Sequence, residues 1–209
     1  MKSFIVDLWS QIFYGLEKIS LFWVVRKLIP ATRESYRFVD WWVLGHLLLS
    51  IVLLAICSAL NLHWGEAIAV GWGVIRVFEV IIYQINVALF DEYRAKKVGK
   101  PYAFRGFHRV VILLLHNYAE IIFWFALFYR HWDWAFEAGR VALDSFLGAL
   151  NFSFATMTSF GYTTIAPKET LGDVLTLIQS VIGLFMVLLI LARFISLLPK
   201  PKTLDEFER

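Results

Sequence analysis

The chain has 209 residues, of which 59% are hydrophobic and 17% aromatic, and this composition excludes an ordinary soluble domain. A net charge of +3 gives no support to a nucleic-acid partner, and a single cysteine, Cys57, excludes an intrachain disulfide framework. The sequence therefore predicts an all-α integral membrane protein that is surrounded by membrane lipids and has no resident cofactor.

The N-terminal segment from Lys2 to Ile29 places apolar residues at helical spacing and polar residues on the opposite face. Its tryptophan and basic side chains suit the boundary between lipid and water, and Pro30 ends the segment. The pattern predicts an amphipathic helix that lies on the cytoplasmic leaflet. With a cytoplasmic linker, it forms a first region, residues 1–39.

Two long apolar segments, Asp40 to Leu60 and Ala67 to Phe90, predict the first two spanning helices. The connection between them is short, so we expect antiparallel neighbours. Residues 40–109 thus form a peripheral unit that ends in a loop from Asp91 to Arg109. The basic residues of this loop are Arg94, Lys96, Lys97, Lys100, Arg105 and Arg109.

The distribution of basic residues also predicts the orientation of the chain. Lysines and arginines are concentrated in the loop 91–109 and in the N-terminal region, whereas the short connection around His63 has neither. By the positive-inside rule, both basic regions face the cytoplasm. We therefore expect a multi-pass protein of the plasma (inner) membrane with both termini in the cytoplasm.

The second predicted helix carries two charged residues near the middle of the membrane. Arg76 and Glu79 are three residues apart on one face, where an unpaired charge is costly. A neutralised structural pair and a gating or sensing element both fit this pattern. A voltage sensor of the usual form needs several arginines at three-residue spacing, and this helix has one.

A polar stripe interrupts the third predicted span, Val110 to Tyr129, where His116 and Glu120 are four apart with Asn117 beside them. In one interpretation Glu120 pairs with Arg76 or accepts hydrogen bonds from the following loop. In the other, His116 titrates near neutral pH and senses protons. No metal site is predicted, because only one histidine and one carboxylate share this face.

An external aromatic segment, residues 130–140, leads to an apolar stretch of about 13 residues, Ser145 to Met157. This stretch is too short to cross a hydrocarbon core of roughly 30 Å as a helix. We expect a re-entrant helix, capped by Asp144, that enters the membrane and returns. Leu171 to Leu198 then predicts the fourth spanning helix, and residues 199–209 form a short cytoplasmic tail.

The segment between these last two helices, Thr156 to Pro167, reads TMTSFGYTTIAP. It resembles the pore loop of potassium channels, whose usual run is T-x-T-T-V-G-Y-G-D. The resemblance covers an outer helix, a pore loop and an inner helix, and so defines residues 110–198 as a pore module. The family's T-V-G-Y-G falls on Ser159, Phe160, Gly161, Tyr162 and Thr163.

The resemblance implies a filter in which four loops replace the water shell of a monovalent cation. The carbonyls of Phe160, Gly161 and Tyr162, with the hydroxyl and carbonyl of Ser159, would be its ligands. Carbonyls line one side of a strand when alternate residues adopt left-handed dihedrals, which glycine does freely. Thr163 stands at the family's second glycine, so this single-glycine filter is closer to those of the Trk, Ktr and HKT potassium transporters.

The predicted supports of the filter also depart from the family. Ala155 stands where many members carry a carboxylate behind the filter, and Thr164 stands where they carry an aspartate after it. Phe152 replaces a tryptophan whose N–H could brace the filter tyrosine, and Thr158 completes the support. The family often bends its inner helix at a glycine, here Gly183, although close helix packing explains this glycine equally well.

One pore loop cannot form a ring, so the resemblance implies a homotetramer that acts as a cation channel. We expect this channel to conduct potassium first, with sodium as the other permeant ion. No metal site is expected besides the permeant cation. Membrane tension, lipid, pH or an unidentified regulatory partner are the candidate gating stimuli. An alternative hypothesis is a non-conducting adaptor or regulatory subunit built on a degraded channel scaffold. It rests on the departures from the family pattern at Thr163, Thr164 and Ala155. A membrane enzyme based on the His116 stripe is disfavoured, because no metal-ligand set or activated nucleophile accompanies it.

Overall fold

The structure is a computed structural model, and it describes the chain in seven parts, residues 3–32, 35–60, 63–99, 101, 106–137, 142–160 and 164–198. Helices dominate the described residues. They are α1 (Phe4–Glu17), α2 (Leu21–Leu28), α3 (Tyr36–Leu60), α4 (His63–Ile85), α5 (Asp91–Lys97), α6 (Phe107–His131), α7 (Phe146–Thr158) and α8 (Thr170–Leu197), with short 3-10 turns at Pro30–Thr32 and Asp133–Ala135.

Within the described residues, four helical segments are long and apolar enough to cross a membrane: Tyr36–Leu60, Trp64–Lys97, Phe107–His131 and Thr170–Leu197. The prediction of four spanning helices in a multi-pass membrane protein is therefore confirmed. Several of these helices extend a few residues beyond the predicted bounds. The reason is that an apolar pattern marks the part of a helix in contact with lipid, whereas the helix continues into the headgroup layer.

The N-terminal segment forms two helices where the sequence pattern predicts one. The backbone of Ser20 is extended, and its side chain accepts a hydrogen bond from the N–H of Trp23 at 3.1 Å. This cap satisfies one of the free N–H groups at the start of α2, so a break in the helix is inexpensive here. Both α1 and α2 pack against α4.

The predicted loop from Asp91 to Arg109 begins as helix. One π-helical turn, Asn86–Phe90, joins α4 to α5. The Asn86 side chain donates to the carbonyl of Phe13 in α1 at 3.2 Å and accepts from Arg94 at 2.8 Å. Acidic residues at the start of α5 and basic residues at its end also favour a helix, because they complement the helix dipole.

The third spanning helix, α6, is the centre of the fold, since it packs against α3, α4, α7 and α8. Its fully buried side chains include Ile121, Trp124 and Tyr129. The short helix α7 lies against α6 on one side and α8 on the other. Among the described spanning helices, the one with the largest buried share therefore holds α7.

Two short strands, which the sequence pattern did not predict, join the segments before and after α7. β1 (Phe136–Glu137) pairs antiparallel with β2 (Ala166–Pro167), so that Phe136 lies opposite Pro167. Next to this pair, the carbonyl of Ala135 accepts hydrogen bonds from the N–H groups of Lys168 at 2.9 Å and Glu169 at 3.1 Å. These contacts fix the two ends of the segment that contains α7 and the filter motif.

Two glycines of α4 give a test of the α4–α6 contact. A Cβ at Gly73 would lie 2.6 Å from Trp124 Cε3 and 2.8 Å from Phe128 Cε1, whereas a Cβ at Gly71 has nothing within 4 Å. Both alanine substitutions gain about 1 kcal/mol of helix propensity. We expect Gly73→Ala to lose about 1–3 kcal/mol through overpacking, and Gly71→Ala, the matched control, to lose nothing. Thermal unfolding in detergent, followed by circular dichroism, measures both, and equal midpoints would contradict the packing argument.

Candidate functional site

The start of α7 is capped by Ser145, one residue after the predicted cap. Its backbone is extended, and its hydroxyl oxygen accepts a hydrogen bond from the N–H of Gly148 at 3.0 Å. Asp144 was therefore the wrong choice of cap. Its backbone carbonyl instead accepts a hydrogen bond from the guanidinium of Arg130, which also lies 3.1 Å from the buried carboxylate of Glu66. Arg130 thus ties the start of α7 to α4 and α6.

The end of α7 is a tight turn at the first residue of the filter motif. Ser159 has a left-handed backbone, with φ of 55°. Its N–H bonds the carbonyl of Thr156 at 3.3 Å, and the N–H of Phe160 bonds the carbonyl of Ala155 at 3.0 Å. This pair of bonds is a Schellman motif, which usually has glycine at the left-handed residue. A serine there costs about 1–2 kcal/mol, so surrounding contacts must hold the turn.

The structure describes only two of the five predicted filter residues. Ser159 and Phe160 are exposed in the single chain, with Phe160 at 78%. Gly161, Tyr162 and Thr163 lie outside the described residues, so their role as ion ligands stays a prediction. The remaining predicted supports are described: Thr164 is exposed, Ala155 is buried, and the hydroxyl of Thr158 donates to the carbonyl of Phe154 at 2.8 Å.

A buried hydrogen-bond network, which the sequence analysis missed, holds α7 between α6 and α8. The Tyr129 hydroxyl donates to Gln179 Oε1 at 2.6 Å. Gln179 Nε2 donates to the carbonyl and the hydroxyl of Ser153 at 3.0 and 2.8 Å. The Ser153 hydroxyl in turn donates to the carbonyl of Ile122 at 2.7 Å. We call Tyr129, Ser153 and Gln179 the pore-helix clamp, because one of them comes from each of the three helices.

Phe152 packs beside the clamp rather than acting as a donor. Its ring meets Tyr129 edge-on with the ring centroids 4.6 Å apart, and Phe136 with the centroids 5.3 Å apart. Lacking an N–H group, phenylalanine can support α7 only by packing. One signal in the sequence pointed to the clamp: Gln179 is a lone amide in a strongly apolar helix, and such a group needs a partner inside the membrane.

Gly183 brings α8 into contact with the end of α7. A Cβ on this residue would lie 2.2 Å from the carbonyl oxygen of Met157. No side chain fits at that distance, so the glycine is required for close packing. Of the two explanations that the sequence left open for Gly183, this geometry favours close packing over bending.

A second buried cluster joins the peripheral helices to α6. Arg76 binds Glu120 through two parallel hydrogen bonds of 3.0 Å, and it also contacts Glu79. Trp124 Nε1 donates to Glu120 at 3.0 Å. Each of the three charged residues is at most 4% exposed. The structure thus brings together Arg76, Glu79 and Glu120, which we call the buried ion triad.

The other residues of the polar stripe lie outside the triad. His116 is half-buried, and its Nδ1 lies 2.8 Å from the carbonyl of Ile112 in its own helix. Among the described residues, no cluster of histidine, cysteine, aspartate and glutamate could hold a metal ion. The N-terminal helices also contact the triad, because the backbone N–H of Phe22 in the first turn of α2 donates a hydrogen bond to Glu79. The positive end of the α2 helix dipole therefore lies beside a carboxyl group of the triad.

Residues 110–200 match a family model described as Ion channel. This part of the chain is similar to an ion-channel family. The match runs from the start of α6 to beyond the end of α8 and includes the pore-helix clamp, in agreement with the resemblance to potassium-channel pore loops. No curated protein and no solved structure matched the chain. Similarity to an ion-channel family, together with four helices long and apolar enough to cross a membrane among the described residues, supports a channel-like role in ion transport.

The clamp predicts coupled energetics at Tyr129 and Gln179. Gln179→Leu leaves the Tyr129 hydroxyl without its described acceptor and removes the amide that donates to Ser153. We expect a loss of about 1–2 kcal/mol in the free energy of unfolding. Tyr129→Phe added to Gln179→Leu should cost little more, because the hydroxyl that lost its acceptor is then gone. Unfolding in mixed micelles by sodium dodecyl sulfate measures Gln179→Leu, Tyr129→Phe and the double variant, and additive losses would show that the two side chains act independently.

The buried ion triad predicts a charge rescue. Arg76→Met leaves two carboxylates in a buried site, which should cost about 3–5 kcal/mol in the same unfolding assay. The triple variant that adds Glu79→Gln and Glu120→Gln removes the unpaired charges and should recover most of this loss. If the triple variant is as unstable as Arg76→Met, packing of the guanidinium rather than its charge holds the helices together.

Proposed function

We propose that four copies of this chain form a cation channel that conducts potassium ahead of sodium. One observation carries the proposal: α7 has 13 residues, lies between two spanning helices of an ion-channel pore module, and ends where the filter motif begins. A helix of this length cannot cross the membrane. Its carbonyl end has partial negative charge, which favours a cation beside it.

In the proposed tetramer, the exposed surface of α8 is available to neighbouring copies of the chain. Only 22% of the most apolar part of α8 is buried within the chain, so this helix requires contact with lipid or with other copies. The exposed Phe160 also lies at the tip of α7, where the four-fold axis is proposed. The large apolar side chains that α8 exposes are Val174, Leu177, Ile178, Val181, Leu184, Val187, Leu188, Leu191, Phe194 and Ile195.

The filter sequence supports potassium as the first ion. Main-chain carbonyls at residues 159–162 would replace the water shell, and Gly161 supplies the flexible backbone that their alignment needs. We place both termini in the cytoplasm, because the basic residues lie in the N-terminal region and between α4 and α6. In this orientation the filter faces the outside. No resident cofactor enters the proposal.

Ion flux from liposomes tests this function. We expect purified protein to release potassium faster than sodium and to retain N-methylglucamine. Ser159→Ala should change the flux, because it removes a hydroxyl at the inner filter. Ser50→Ala is the matched control, since Ser50 lies in α3, and its hydroxyl bonds only the carbonyl of Leu47 among the described residues.

Three further results would revise the proposal in different ways. Equal potassium and sodium flux would mean that the filter with Thr163 is non-selective. A native mass other than four chains would contradict the tetramer. Tetramers that pass none of the three cations, at neutral and acid pH and under membrane tension, would favour the non-conducting adaptor, for which Ala155, Thr163 and Thr164 are the motivating residues.

A further inference from the structure

A cavity of about 480 Å³, including its open mouth, lies between the N-terminal helices and the buried ion triad. Most of the lining is apolar or aromatic, and the polar groups Arg76, Glu79 and Asn117 converge on it. The peripheral unit rather than the pore module provides most of its wall.

Two polar atoms in the lining lack hydrogen-bond partners among the described residues. The Oδ1 atom of Asn117 is a buried acceptor, and the residue is only 3% exposed. The Nε1 atom of Trp42 is a buried donor. An unpaired buried polar group is costly, and it usually marks a missing water or ligand. Trp42 and Asn117 line the same cavity, next to the buried ion triad.

The chemistry of these groups restricts the occupant. Asn117 Oδ1 requires a donor and Trp42 Nε1 requires an acceptor, and a hydroxyl group offers both. A carboxylate has no donor and would meet Glu79, while an ammonium has no acceptor. Arg76 already pairs with two carboxylates, so it offers no free charge to an anion. Burial, reinforced by the Asp91 carboxylate, raises the pKa of Glu17, which also lines the cavity, and this disfavours further charge there.

The apolar lining favours an amphiphile over water as the occupant of the cavity. The Phe22 ring packs against Trp42, with centroids 5.8 Å apart, and against Tyr83, with centroids 6.4 Å apart. Val39, Val43 and Val80 add aliphatic surface. Water gains nothing from such surface, whereas an alkyl chain gains roughly 25 cal/mol per Å² of area removed from water.

We propose that this cavity binds an uncharged amphiphile with a hydroxyl headgroup, such as a long-chain alcohol or a diacylglycerol. The hydroxyl bonds Asn117 and Trp42, and the alkyl part lies against Phe22 and its neighbours. The site is separate from the filter and does not depend on conduction. It adjoins the contact between the Phe22 N–H and Glu79, so the occupant lies where the N-terminal helices meet the buried ion triad.

Photolabelling of the full chain in phosphatidylcholine nanodiscs tests the site. The probes are an octanol with a diazirine in its chain and the matched diazirine octane without the hydroxyl. We expect the octanol probe to label peptides that contain Phe22, Val39 or Tyr83 in a saturable way, with little labelling by the octane probe. Excess 1-octanol and excess dioctanoylglycerol, added separately, distinguish a small alcohol from a lipid as the preferred occupant.

Two variants test the headgroup contacts. Asn117→Leu and Trp42→Phe should each reduce labelling of the cavity about three- to tenfold, as expected for one hydrogen bond. Trp41→Phe is the matched control, because Trp41 is 70% exposed and does not line this cavity, and its labelling should equal that of the unaltered chain. Size-exclusion chromatography checks that each variant is folded. If Asn117→Leu does not fold, Trp42→Phe, which keeps an aromatic ring at this position, provides the test.

Three results would overturn the proposal. Equal labelling by the octanol and octane probes would show an apolar crevice with no headgroup site. Labelling that neither substitution lowers would show that Asn117 and Trp42 do not bind the hydroxyl. No saturable labelling of the cavity by either probe would mean that water alone satisfies these two atoms.

Discussion

Lipid offers no hydrogen bonds, and this constraint explains where the helices of this protein meet. A polar group in a spanning helix must find its partner inside the chain or bear a large desolvation cost. Gln179 finds two partners in α7 and one in α6, and Arg76 finds both of its carboxylates in the bundle. Each polar contact therefore fixes one helix against another, while apolar packing fills the space between them.

Gln179 of the pore-helix clamp and Gly183 both contact the short helix α7 from the side of α8. Gln179 holds the middle of α7 at Ser153, and Gly183 lets α8 approach its end at Met157. These two residues are four apart in α8 and so lie on one face. Together they fix the orientation of α7 and so the position of Ser159 at its end. The left-handed backbone of Ser159 needs such contacts to hold it.

The sequence predicted the apolar helices better than the contacts between them. Spanning segments are recognised from local composition, and the short helix was recognised because 13 apolar residues cannot cross a membrane. The Arg76–Glu120 contact was one of two alternatives, because residues that share a membrane depth and opposite charge are natural partners. The clamp was missed, since Tyr129, Ser153 and Gln179 come from three helices, and their meeting depends on the tertiary packing. The β1–β2 pair was missed because two residues per strand give no periodicity.

Helix α6 connects the two polar clusters. Glu120 binds Arg76 of the peripheral unit, and Tyr129 binds Gln179 of the pore module, at positions about 13 Å apart along the helix at 1.5 Å per residue. Of the side chains between them, all except the partly buried Phe123 are buried. A well-packed helix moves as a rigid element, because its neighbours leave no space for it to bend. The peripheral helices, through Arg76 at Glu120, and the pore-helix clamp, through Gln179 at Tyr129, are therefore attached to the same packed helix.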